Sequence, residues 1–342
     1  MKHNEELKTF ITIWFIALSS TIYCYFIPAR ISGVVPRLLS LIPVITIFSI
    51  LPLQISIINI AAITFFFLPW LGNFKLLLFA FNRGPLSSTP RLPIVTFISL
   101  ALLPVKPKEL NNKLTYSSPL SLPKPIVLTC KTVILITIVD VYRFKDQFHS
   151  TMIIVLSFAY MYIALELCFE FIAFLVKVIH GFDFDMEPHF NEPYMSTSLQ
   201  DFWGRRWNLA SSSILRATVY NPTRMMLDRN LGKFRGHLVA TFVTFVVSGL
   251  MHELMYLYLM RVPPTWEVTW YFVLHGVCTV VEMAVKKAVN DRFCLHKMLS
   301  LPLTLGFMFV TGWLFLVQPI RNGMDVKIIH ESSALLKYLG VM

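Results

Sequence analysis

The chain of 342 residues is 56% hydrophobic and only 14% charged, with a mean hydropathy of +0.64. A soluble domain carries about 25% charged residues, so composition excludes an ordinary water-soluble fold and calls for lipid as solvent. The net charge of +11, from 30 Lys plus Arg against 19 Asp plus Glu, sits mostly between the apolar runs, which points to anionic lipid or a phosphate-bearing substrate and away from a nucleic-acid groove.

Crossing a hydrocarbon core of about 30 Å takes roughly 20 helical residues. Apolar runs of that order recur along the chain at 9–27, 38–52, 55–81, 92–104, 126–142, 151–179, 236–260, 267–285 and 299–319. They predict an all-α, polytopic transmembrane bundle of eight or nine spans around an intramembrane chamber, the whole of 1–342 forming one membrane-embedded domain without internal repeats. The first run follows Lys2 and Lys8 but is longer than a signal-peptide core and shows no clear cleavage pattern, so it reads as an uncleaved span. The third contains Pro69, where it can break, and the fourth is short enough to be re-entrant or interfacial. With nine spans, the surplus of loop Lys and Arg puts the N-terminus and the 180–235 segment in the cytosol. In the sixth run Glu166 and Glu170 share one helix face, as expected of residues paired within a bundle.

The segment 180–235 is the longest and most polar interruption. It opens on Asp183, Asp185 and Glu187, turns basic, and reads as interfacial or cytosolic helices beside a cavity. Its centre is Asp201-Phe202-Trp203-Gly204-Arg205-Arg206-Trp207-Asn208. Two tryptophans bracketing two arginines fit an interfacial aromatic belt, and equally a site where Arg205 and Arg206 hold phosphates and Asn208 offers a hydrogen bond.

The next span carries Val246-Val247-Ser248-Gly249-Leu250-Met251-His252-Glu253-Leu254. Polar groups at mid-span cost a few kcal/mol unless they face protein or water, and so mark function by default. His252 and Glu253 point about 100° apart around a helix and cannot share a face, whereas Ser248 and Tyr256 lie on the histidine's side. A neutral imidazole there can take a proton from an alcohol. It can also simply bond a neighbouring helix. Further on, Pro264 to Gly276 holds His275, with Glu282 two turns later on the same face; His275 is the weaker candidate for catalysis, since a His275–Glu282 pair serves structure as readily. The five cysteines, Cys24, Cys130, Cys168, Cys278 and Cys294, have neither disulfide-framework nor metal-site spacing.

As a set, Asn82-Arg83-Gly84-Pro85-Leu86, Asp201 to Asn208, Ser248 to Glu253 and Pro264 to Gly276 resemble the plant wax synthase family, long-chain-alcohol O-fatty-acyltransferases of the wider membrane-bound O-acyltransferase group. These motifs span roughly the last three quarters of the chain. The first 80 residues carry none of them, and Asn82 stands where the pattern has Gly. The resemblance implies transfer of a fatty acyl group from acyl-coenzyme A to a lipid alcohol, with His252 as the catalytic base and Asn208 as its polar partner. Acyl-coenzyme A is then a co-substrate, no metal or resident cofactor is required, and the membrane is that of the endoplasmic reticulum. Arg205 and Arg206, flanked by Trp203 and Trp207, are the expected contacts to coenzyme A. A sterol acceptor is the alternative within this chemistry. A transporter is the more distant one, and it would call for inverted repeats that are not seen.

Overall fold

The computed structural model describes residues 2–87, 92–105, 124–181, 186–289, 295–338 and 340; Asp183, Asp185 and Cys294 lie outside them. Every element described is helical. In order these are α1 (Lys2–Phe26), α2 (Val34–Ile50), α3 (Ile58–Phe65), α4 (Asn73–Ala80), α5 (Ile94–Leu102), α6 (Lys124–Val141) and α7 (Ser150–His180). There follow α8 (Leu199–Asp201), α9 (Leu209–Leu215), α10 (Asn221–Leu231), α11 (Lys233–Met260), α12 (Glu267–Ala288), α13 (Lys297–Arg321) and α14 (Met324–Tyr338). Three wider π-helical turns interrupt the pattern, at Phe66–Gly72 joining α3 to α4, at Phe202–Arg206 and at Arg216–Tyr220.

Among the described residues, 8 helical stretches are long and apolar enough to cross a membrane. The protein is an integral membrane protein, and the third run continues through Pro69 because its π turn absorbs the missing amide donor. The fourth run is the difference: α5 has only 9 residues, too few to span. The carbonyls at its C-terminal end would be costly in lipid, and the buried Lys75 of α4 supplies the donors, its Nζ lying 2.7 Å from the Leu100 oxygen and 2.6 Å from that of Leu103. A lysine in mid-span is thus a helix cap.

Eight candidate spans among the described residues change the topology expected from nine: five of them, in place of six runs, separate the amino end of α1 from the segment after α7. With the segment after α7 cytosolic by the positive-inside rule, that count predicts the start of α1 on the opposite side. A cysteine introduced beside Arg205 should therefore react with an impermeant reagent from the cytosolic side, and one introduced before α1 only from the other.

The chain divides into two compact units, Met1–Pro104 with Phe190–Asn322, and Val105–His189 with Gly323–Met342. In the second unit, α6, α7 and α14 pack around Val139, Tyr142 and Ile329. Glu166 is paired there as anticipated, with Lys131 Nζ at 2.5 Å, while Glu170 is exposed. The Tyr142 hydroxyl donates to Asp325 Oδ2 at 2.6 Å, binding α14 to the end of α6.

The first unit holds every motif. Arg37 of α2 donates to the carbonyls of Ile31 and Phe79 and to the Asn82 side chain. Asn82 has a φ of 54°, a left-handed conformation that Asn tolerates nearly as well as Gly; its side chain repays the exchange by accepting from Arg37. The seam between α11 and α12 is close because glycines line it. A Cβ at Gly276 would stand 2.8 Å from Phe245 Cβ, and one at Gly249 would stand 3.1 Å from Phe272 Cβ. Tyr258 ties α11 to α2 through the Ser49 carbonyl at 2.9 Å, and Tyr256 ties it to α13 through the Phe315 carbonyl at 2.9 Å.

Candidate active site

His252 lies on the helical interior of α11, and its environment determines which of its nitrogens can react. Nδ1 is 2.7 Å from the backbone oxygen of Ser248, one turn back. A carbonyl only accepts, so Nδ1 carries the hydrogen and donates it. The tautomer leaves the lone pair on Nε2, and Nε2 makes no hydrogen bond to a described residue. Around the ring stand Phe272, stacked at 4.4 Å, Trp70, perpendicular at 4.8 Å, and Phe315 at 5.6 Å. The small Gly249 lets α12 approach closely enough for the Phe272 stack. The result is an oriented, half-buried base in an apolar aromatic surround.

His275, the other mid-span histidine, is used up. The indole of Trp203 is a donor only, so its Nε1–H donates to His275 Nδ1 at 3.2 Å. Nε2 then carries hydrogen toward Thr311 Oγ1 at 2.9 Å, and Thr311 donates onward to the Phe307 carbonyl at 2.7 Å. With neither nitrogen available, His275 holds α12, α13 and the 202–206 turn together. Its expected partner Glu282 is engaged elsewhere, accepting from the Leu199 backbone amide at 2.9 Å and from Lys286 at 2.6 Å. Likewise Glu253, adjacent to His252, faces away from it. Its carboxylate is 3% exposed and accepts from the amides of Trp266 and Thr269 at 3.0 and 3.3 Å and from the Thr269 hydroxyl at 3.0 Å. It caps the N-terminus of α12, the role a carboxylate serves best.

The motif Asp201–Asn208 occupies the second π turn and ends in a left-handed residue, Asn208, at φ 39° and ψ 65°. Asn208 Oδ1 accepts from the Ser211 amide at 3.2 Å and caps α9; its Nδ2 donors have no partner among the described residues. The two arginines differ sharply. Arg206 is bound to Asp201 at 2.7 Å and to the carbonyls of Asn191 and Glu192 at 3.2 Å each. Arg205 is exposed and makes no bond to a described residue. Trp203 packs on Phe245 and Phe272 as well as bonding His275, and Trp207 stacks on Phe202 at 5.4 Å and meets Phe190 at 5.2 Å.

No hydrogen bond or ring contact joins Asn208 to His252. What α9, which Asn208 caps, and α11, which carries His252, share is an apolar cluster. Phe65, Trp70, Leu71 and Leu78 from the α3–α4 span pack with Ile214 and Leu215 of α9, and against them lie Val247, Met251 and Met255 of α11. Trp70 belongs to the part of the chain without family motifs; Pro69 in mid-span was the available sign that the helix changes course there.

Comparison with known proteins now decides the family. The profile described as "Membrane bound O-acyl transferase family" matches residues 186–274, which hold the two motifs just described. The chain is 44% identical to the "Long-chain-alcohol O-fatty-acyltransferase" of Simmondsia chinensis, over 99% of its own length and 97% of that protein's. The chain belongs to the membrane-bound O-acyltransferase family, in its plant wax synthase branch. A "Probable long-chain-alcohol O-fatty-acyltransferase 3" of Arabidopsis thaliana is 40% identical over 98% of this chain and 96% of its own. An "Acyl-CoA--sterol O-acyltransferase 1" of the same plant is 40% identical over 96% and 95%. The wax synthase resemblance carried by the motifs is thus borne out, and it extends over the first 80 residues, which lack those motifs.

Proposed function

We propose that this wax synthase family member transfers a fatty acyl group from acyl-coenzyme A to the hydroxyl of a long-chain alcohol, giving a wax ester and free coenzyme A. The observation that carries the mechanism is the commitment of His252 Nδ1 to the Ser248 carbonyl, which leaves Nε2 as the base. Nε2 takes the alcohol proton as the oxygen attacks the thioester carbon, and returns it to the sulfur as the carbon–sulfur bond breaks. Asn208 Nδ2, without a partner among the described residues, supplies a hydrogen bond to the oxyanion or to the substrate that forms it. The protein acts without a resident cofactor, in the endoplasmic reticulum membrane. Purified protein in vesicles, given labelled acyl-coenzyme A and a panel of alcohols, should form labelled ester with a long-chain alcohol; no ester with any alcohol would overturn the reading. The similarity to a protein named as a sterol acyltransferase supports a second reading, and a sterol in the same panel separates the two.

For the donor, the geometry favours Arg205 over Arg206. An exposed guanidinium without a partner among the described residues can grip phosphates of coenzyme A, whereas the Arg206 fork is filled by Asp201 and two carbonyls, and Trp203 and Trp207 spend their faces on packing. Arg205→Ala should raise the KM for acyl-coenzyme A several-fold with little change in kcat, as for a contact made equally in ground and transition states. Arg205→Lys should recover part of that loss, because charge survives and the planar fork does not. Arg206→Ala should instead lower the amount of folded protein and leave the donor KM of the remainder unchanged. Steady-state kinetics with donor and alcohol varied separately distinguish the two arginines.

A further inference from the structure

Trp70 is 2% exposed, and its indole Nε1–H has no hydrogen-bond acceptor among the described residues. Buried indole N–H groups usually find a partner, and an unmade one is costly. The packing around Trp70 explains the vacancy. Phe65, Leu71, Leu78, Ile214 and Leu215 are apolar, and the His252 ring that meets the indole makes no hydrogen bond with it. The position is also specially built. Trp70 sits on the π turn Phe66–Gly72, directly after Pro69, and π turns inside long helices gather at functional sites. The turn re-aims this one stretch of the span so that the indole meets the His252 ring perpendicularly at 4.8 Å.

We propose that Trp70 Nε1–H is a catalytic hydrogen-bond donor to the thioester carbonyl oxygen of the acyl donor, strengthening as that oxygen becomes an oxyanion. The inference rests on the acyl-transfer reading above. An indole N–H only donates, so its partner must be an oxygen that accepts. His252 Nε2 takes the proton of the alcohol as the alcohol oxygen attacks the thioester carbon, and the carbonyl oxygen is bonded to that same carbon. Ring contact with the base puts the Trp70 side chain beside the reacting groups. In an apolar surround a donor fixed before the reaction stabilises the developing charge without reorganising. No atoms beyond the reaction's own are needed: the alcohol proton passes through His252 to the thiolate, and the Trp70 hydrogen stays on nitrogen throughout.

Trp70→Phe keeps an aromatic ring and removes the donor. With ester synthesis by the unaltered protein established in the same assay, this variant should lose about 10²- to 10³-fold in kcat, the range for one oxyanion donor, with the KM values for donor and alcohol little changed. A benzothiophene-bearing amino acid at position 70 keeps the bicyclic shape and lacks only the N–H, so it should show the same loss even where the smaller phenylalanine disturbs packing. As a second readout, acyl-coenzyme A labelled with ¹³C at the carbonyl can be bound to the His252→Ala protein, which does not turn it over. Its carbonyl infrared band should lie lower than in the His252→Ala, Trp70→Phe double variant. A kcat within two-fold of the unaltered protein for the benzothiophene variant, or identical bands in the two proteins, would overturn the proposal while leaving the transferase reading intact. Absence of ester formation by the unaltered protein would bring both down.

Discussion

Replacing His252 by Ala is expected to remove about 10²- to 10⁴-fold of the transfer rate while the protein remains inserted and folded. Among the described residues the ring makes one hydrogen bond, to a backbone oxygen of its own helix, and its contacts to other helices are the rings of Phe272, Trp70 and Phe315, whereas Tyr256 binds α13 by a hydrogen bond. Gln at the same position keeps polarity and volume without a basic nitrogen, and should be as inactive as Ala. Ser248→Ala gives the complementary test. The acceptor of the Nδ1 hydrogen is the Ser248 carbonyl, not its hydroxyl, so this variant should keep the tautomer and stay close to full activity. Normal ester synthesis by His252→Ala or His252→Gln, measured per unit of folded protein, would exclude the general-base role.

How far these residues could be read from sequence depends on what kind of partner each has. The spans were legible because a run's length and hydropathy are properties of the run; only the third, at Pro69, and α5, held by Lys75 from another helix, were open. His252 stood out as polar in mid-span, and its 100° offset from Glu253 already separated the two onto different faces. What the sequence could not carry was partnership through backbone atoms. Arg205 and Arg206 are chemically the same in a string of letters; carbonyls of Asn191 and Glu192 occupy one of them, and carbonyls have no letter. His275 and Glu282 are spaced to meet on one helix, yet Trp203 and Thr311, distant in the chain, offered His275 a hydrogen bond on each nitrogen. Trp70 was hidden for a related reason: in a run of Phe, Leu and Trp nothing marks the one ring that a π turn swings beside the base.

The adjacent residue should fail in the opposite way. Glu253→Ala is expected to unfold or strongly destabilise the protein and yet leave near-normal activity per folded molecule. Its carboxylate is the sole described acceptor for the Trp266 and Thr269 amides, which open α12, and for the Thr269 hydroxyl. Trp266 itself is held in a left-handed conformation at φ 67°, unfavourable for a large side chain, and its amide bond to Glu253 helps hold it there. Hydrogen bonds to a charged group contribute about 1.5–3 kcal/mol each, and donors left bare in a low-dielectric seam lose more than the bond alone. A loss of about 3 kcal/mol or more is therefore expected from the alanine change. Glu253→Gln keeps one acceptor oxygen, and should fall between the two. The position of α12 matters to the chemistry only through Phe272, which stacks on the base, so molecules that do fold should retain the base and its surround. Thermal denaturation in detergent, together with activity normalised to folded protein, reads both quantities. A stable Glu253→Ala protein with no activity would mean that the carboxylate takes part in the reaction and that its capping of α12 is incidental.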